Sequence, residues 1–144
     1  MKLVTAGYEG ETIASFLKKL KQAKVQVLID IREIPLSRKP GFSKNALARY
    51  LAGAGIEYRP CKELGSPSHL RKKVRKDKDY EYFFREYKKY LRTKRAVLRE
   101  VLAVALSERS SLLCFEQDSG KCHRKIVAVS LQKMSKNKLS IIHL

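Results

Sequence analysis

An α/β fold, built on a mainly parallel sheet with helices on both faces, is predicted by three features of this 144-residue chain. Short apolar runs alternate with amphipathic helical patterns from one end to the other. The apolar runs are continuous, as in strands covered on both faces, and glycine or proline turns mark most changes of period. No internal repeat or linker interrupts the series, so residues 1–144 read as one domain around one core.

Leu3-Val4-Thr5-Ala6 is the first strand, closed by Gly7-Tyr8-Glu9-Gly10. Thr12 then opens a helix whose apolar stripe is Ile13, Phe16, Leu17 and Leu20. Val25 to Ile31 is a second strand, with Asp30 near its end. The stretch from Arg32 to Phe42 contains Pro35, Pro40 and Gly41 and follows neither period, which makes it a long basic loop. Ser43 is placed as the N-cap of a helix carrying Ala46, Leu47, Tyr50 and Leu51, and Gly53 or Gly55 ends that helix before a strand from Ile56 to Arg59.

Pro60 to Ser68 reads as irregular around Glu63-Leu64-Gly65, and a basic run from Arg71 to Lys78 follows. From Tyr80, the rings of Phe83, Phe84, Tyr87 and Tyr90 recur at helical spacing, most of them expected in the core. Val97 to Leu106 marks the next helix. A strand from Ser111 to Glu116, a helix from Cys122 to Met134 and a strand from Leu139 to His143 complete the chain.

Right-handed crossovers put every strand-to-helix loop at the carboxyl edge of such a sheet. Gly7-Tyr8, Asp30-Ile31-Arg32, Glu63-Leu64-Gly65 and the stretch from Cys114 to Arg124 all follow strands. They are therefore expected to line one crevice, where open α/β sheets bind ligands.

Composition narrows the partner. Thirty-two Lys and Arg against 14 Asp and Glu leave a net charge of +18, with 44% hydrophobic residues arguing against a disordered chain. So basic a surface repels itself unless it meets polyanions, which makes nucleic acid the first partner to weigh. The alternative is a lysine-rich surface that serves only solubility and thermal stability. Cys61, Cys114 and Cys122 show no paired CxxC spacing, so neither a disulfide framework nor a zinc ribbon is expected, and a reducing cytoplasm fits best. No apolar run has signal-peptide or membrane-spanning length, so no membrane partner is expected.

Four motifs in order, Thr5-Ala6-Gly7-Tyr8, Asp30-Ile31-Arg32 with Pro35, Ser37-Arg38 and Phe42-Ser43, Glu63-Leu64-Gly65, and Cys114-Phe115-Glu116 with Cys122-His123-Arg124, together resemble the family known as Domain of Unknown Function 488. The resemblance runs nearly end to end and implies a compact Rossmann-like α/β domain of prokaryotes whose biochemical activity is not established. Two positions depart from the family pattern: Ala6 stands where Ile is common, and Pro60-Cys61-Lys62 replaces a commoner His-Leu-Pro lead-in. The second departure argues against a role for Cys61.

The residues themselves suggest chemistry of two grades. Cys122, flanked by Lys121, His123 and Arg124 at a helix start, has surroundings that favour a thiolate, and the competing reading is a small buried residue. His123 serves either as an acid–base group or as a donor to a backbone carbonyl. With Glu116 these are the candidate catalytic residues. Gly7, Tyr8, Asp30, Arg32, Ser37, Arg38, Glu63, Gly65 and Arg124 are the candidate ligand-binding residues, with Arg32 and Arg124 suited to phosphate or carboxylate. Asp30, Glu63 and Glu116 either hold a cation or a proton, or pair with Arg32, Arg38 and Arg124 to order the loops.

Metal binding through Cys114, Cys122 and His123 matches no recognised spacing, so no metal is expected. No GxGxxG or Walker loop follows the first strand, which disfavours dinucleotide redox chemistry, and no cofactor or oligomeric state is assigned. The functional expectation is a protein that binds a phosphorylated ligand, a nucleotide or nucleic acid in the crevice, with an enzymatic role open. The alternative is a non-catalytic basic module that binds nucleic acid or protein.

Overall fold

Five parallel strands form one sheet in the computed structural model, which describes residues 1–144. They are β1 (Lys2–Gly7), β2 (Val27–Asp30), β3 (Glu57–Pro60), β4 (Ser110–Cys114) and β5 (Ser140–His143), in the spatial order β3-β2-β4-β1-β5. Central β4 sets the register: Leu112 lies opposite Thr5 on one side and Ile29 on the other.

Successive strand residues point to opposite faces, and the core divides accordingly. Val4, Ala6, Leu28 and Leu113 pack with Phe16 and Leu20 of helix α1 (Ile13–Gln22) and with Leu47 and Leu51 of α2 (Lys44–Gly53). Leu3, Val27, Ile29 and Leu112 pack against the other four helices, α3 (Ser68–Asp77), α4 (Tyr80–Arg92), α5 (Arg95–Ser107) and α6 (Arg124–Met134). Each large apolar side chain removed from water in this way contributes about 1.5–3 kcal/mol. The α/β class with a parallel sheet covered on both faces is therefore the fold observed, and no helix is long and apolar enough to cross a membrane.

Strand order locates the crevice. From β1 through β2 to β3 the chain steps toward one edge of the sheet, and from β3 through β4 to β5 it steps back. Chain therefore leaves β4 in the opposite direction to its neighbours β1 and β2, and the space between those diverging loops is the switch point where α/β sheets admit ligands.

One local expectation holds, at Thr12, and several others are corrected. Thr12 caps α1 through a reciprocal pair, its side chain accepting from Ser15 N at 3.1 Å while Ser15 Oγ accepts from Thr12 N at 3.0 Å. Ser43 precedes α2 but caps nothing: its hydroxyl accepts from Ser37 N and donates to Ser37 O, both at 3.0 Å, and so closes the loop from Ser37 to Ser43. The irregular stretch after Pro60 contains a 3-10 turn at Lys62–Leu64, and the basic run beyond it is the helix α3.

The β4 strand ends at Cys114, so Glu116 belongs to the following loop. Cys122 does not open the last helix. Asp118 accepts from Gly120 N at 2.8 Å and starts a 3-10 turn at Ser119–Lys121, after which Cys122 is extended and α6 begins only at Arg124.

Candidate functional site

A cavity of about 740 Å³ opens at the carboxyl ends of β1, β2 and β4. Tyr8, Arg32, Cys114, Cys122 and His123 line it, Glu33, Ile34, Leu36, Ser37 and Arg38 form one wall, and α3 forms another through Arg71, Lys72 and Arg75, continued by Lys78 at its C-cap. Two contacts hold α3 there: Ser68 Oγ donates to Glu33 Oε1 at 2.6 Å, and Arg71 Nη2 donates to the same oxygen at 3.0 Å. Gly65 is needed beneath them, because a Cβ there would overlap the backbone of Glu33.

Asp30 and Arg32 form a buried lock. Arg32 Nε and Nη2 donate to the two Asp30 oxygens at 2.8 and 2.7 Å, and Nη1 reaches Phe42 O at 2.7 Å and Tyr8 Oη at 3.2 Å. Tyr58 Oη adds a donor to Asp30 at 2.6 Å. Burial works against the charge on Arg32, but the bonds and charge of Asp30 outweigh it and raise its pKa. Burial, reinforced by Asp30, likewise raises the Tyr58 hydroxyl. This network fixes the long loop, whose Lys39 Nζ also donates to Tyr8 O and Glu11 O at 3.1 and 2.9 Å.

Arg124 is a second lock, fully buried at the first turn of α6. Its Nε donates to Thr5 Oγ1 at 3.2 Å, Nη1 to Glu116 O and to Cys114 Sγ at 3.2 Å, and Nη2 to Gln117 O at 2.8 Å. The loop after β4 is thereby pulled over β1, so closely that a Cβ on Gly7 would overlap the carbonyl of Glu116. Burial lowers the pKa of Arg124, which faces carbonyls rather than a paired carboxylate.

Cys114 and Cys122, separated by the turn, are joined as a disulfide with Cα atoms 7.3 Å apart. This overturns the expectation that the cysteines are unpaired; Cys61 alone is free, buried, its thiol pushed up to about 11 by burial. Glu116 stands beside the pair, and burial raises its pKa. His123 Nε2 lies 2.8 Å from Ile31 O, and because a carbonyl only accepts, that nitrogen carries the proton. Nδ1 is left 3.6 Å from Cys122 Sγ.

Burial pushes His123 down from 6.5 to about 4. The unfolded chain therefore takes up a proton near pH 6.5 that the folded chain refuses until about pH 4. Stability contributed by the neutral ring is full above pH 6.5 and is lost as pH falls to about 4, on the order of 3 kcal/mol in all. Urea unfolding across that window should show a shallower pH slope in His123→Gln, whose amide can still donate to Ile31 O.

Of the residues singled out in the sequence, the fold brings Tyr8, Arg32, Ser37, Arg38, Glu116, Cys122 and His123 to the cavity lining. Gly7, Asp30, Glu63, Gly65 and Arg124 lie outside it: Glu63 is exposed, and the others are packed beneath the loops. The cations facing the cavity without a carboxylate partner are Arg38, Lys72, Arg75, Lys78 and Lys121. Only Arg38 of these five is among the candidate ligand-binding residues of the sequence. The basic run from Arg71 to Lys78 was visible, but its place beside the crevice depends on α3 docking to Glu33.

A second cavity of about 740 Å³ shares Cys122 with the first and lies between α4, α5 and α6. Lys88, Arg92, Arg95, Lys125 and Lys133 line it over an apolar base, with no carboxylate among its lining residues.

A family model described as Domain of unknown function DUF488 matches residues 12–131. No curated protein and no solved structure gives a significant match.

Proposed function

The chain belongs to the DUF488 family, whose description assigns no activity, and we propose that it binds single-stranded nucleic acid in the strand-end crevice. Phosphates lie against Arg38, Lys72, Arg75, Lys78 and Lys121, and a base lies against Phe115. One observation carries the reading: unpaired cations border the same cavity as solvent-exposed Leu36, Ile34 and Phe115, which are 71%, 52% and 46% exposed. Polar phosphate and apolar base are the two chemistries such a border serves, and an aromatic face accepts any base. Phe115 is held upright by the ring of Tyr8, edge to face at 5.3 Å.

The second basic cavity beyond Cys122 favours a polymer over a mononucleotide, because the cationic lining continues past the first site. A chemical role for the crevice is favoured by Glu116, a carboxyl with raised pKa beside Cys122 and His123 in the same lining. We place the protein in the cytoplasm, where nucleic acid is at hand and where the reducing pool acts on the Cys114–Cys122 disulfide.

Fluorescence anisotropy with a labelled oligonucleotide tests the binding. Five phosphate contacts predict a log–log salt slope of about −3.5, hence a loss of about 100-fold in affinity between 50 and 200 mM salt. Affinity that stays constant across that range, or no binding at 50 mM salt, overturns the reading.

A further inference from the structure

We propose that Cys114, Cys122 and Glu116 form a binding site for a thiophilic divalent metal ion of the Zn²⁺ class when the two cysteines are reduced. The two sulfurs and a Glu116 carboxylate oxygen lie within 4.8 Å of one another. Metal–sulfur bonds of about 2.3 Å and metal–oxygen bonds of about 2.1 Å place tetrahedral ligands roughly 3.5–3.8 Å apart, which a cluster of this size accommodates. The Cα atoms are 7.3 Å apart, beyond the roughly 4.4–6.8 Å usual for bridged cysteines, so the backbone leaves room for an ion between the separated sulfurs.

Linear spacing hides this site because its carboxylate comes from the loop after β4 and its second sulfur from beyond the 3-10 turn. Two structural features hold the ligands in place. Arg124 binds the Glu116 carbonyl and donates to Cys114 Sγ, a donor beside a metal-bound sulfur of the kind that orients such ligands. Its charge also balances the site: two thiolates and a carboxylate with a divalent ion leave one negative charge, which the buried guanidinium offsets. All three ligand residues line the cavity, so the fourth position faces it.

Loading follows reduction. Two low-molecular-weight thiols supply two electrons to the Cys114–Cys122 bond and become a disulfide of their own, while their two protons pass to the cysteine sulfurs. Each proton is then released to solvent as its sulfur binds the metal. The site stands independently of nucleic-acid binding, and its test reads the metal alone.

The full chain, reduced with a phosphine and kept free of oxygen, is titrated with Co²⁺. One ion per chain is expected, with thiolate-to-cobalt charge-transfer absorption and the intense visible bands of four-coordinate cobalt, both displaced by Zn²⁺. The oxidised chain should take up none. Cys114→Ser and Cys122→Ser should each lose charge-transfer intensity and at least about 100-fold in affinity, and Glu116→Gln should bind about 10–100-fold more weakly with the sulfur bands retained.

Folded, reduced wild-type chain that shows no charge-transfer band overturns the proposal, as does equal uptake by the oxidised chain. Stoichiometric Co²⁺ retained in a serine variant that circular dichroism shows to be folded overturns it too. The wild-type comparison of reduced with oxidised chain decides the matter even where a variant does not fold.

Discussion

Arg124→Ala is expected to lower the unfolding free energy by about 3–5 kcal/mol, because it leaves the buried carbonyls it serves without a donor, each at about 1–3 kcal/mol, and removes the packing of a fully buried side chain. The partners are Thr5 Oγ1, Cys114 Sγ and the carbonyls of Glu116 and Gln117, drawn from β1, β4 and the loop after β4. No other side chain reaches the Glu116 and Gln117 carbonyls, so the loop carrying Phe115 and Glu116 loses its anchor together with the stability. Arg124→Lys keeps the charge but presents its donors from a single nitrogen, which cannot span acceptors on three sides, and is expected to recover only part of the loss. Urea midpoints with an unchanged denaturant slope measure both. A melting temperature within a degree or two of wild type in Arg124→Ala would contradict the role assigned to this side chain.

The burial of Arg124 shows what was and was not legible in the sequence. Arg124, Val127, Ala128 and Leu131 fall at helical spacing on one face, the buried face of α6, so the position was readable as core while the residue type argued for surface. What turns it inward is the set of acceptors waiting at the end of β4, which no local pattern displays. The strands were legible for the opposite reason. Val27 to Asp30 and Ser110 to Cys114 lie buried on both faces, and the apolar runs inside them, Val27-Leu28-Ile29 and Leu112-Leu113-Cys114, have few other uses.

Helix α3 was hidden because Leu70 and Val74 are its only large apolar side chains, too few to show a period among so many cations. The proximity of Cys114, Glu116 and Cys122 was hidden because it depends on how a turn folds back over the sheet edge. Phosphate recognition was assigned in the sequence to Arg32 and Arg124, on residue type. Their donors are spent on Asp30, Phe42 and the loop carbonyls, and the cations that face the cavity unpaired are those of α3, Arg38 and Lys121.

The second large effect follows from that redistribution. Reversing Lys72, Arg75 and Lys78 together to Glu turns one wall of the cavity from cationic to anionic without touching the Asp30–Arg32 or Arg124 locks. These side chains make no ion pair, so fold stability should change little, whereas three phosphate contacts are lost and replaced by repulsion. Affinity for a single-stranded oligonucleotide at 100 mM salt is expected to fall at least about 100-fold, and the salt slope to become shallower by about 2.

The matching control reverses Lys18, Lys21 and Arg49, exposed residues of α1 and α2 on the other side of the sheet, and changes the net charge by the same amount. Measuring oligonucleotide affinity for these two variants side by side separates a cavity that binds nucleic acid from a chain that is merely basic. The crevice account predicts the large loss in the α3 variant and a loss below about 10-fold in the control; equal losses in the two would contradict it.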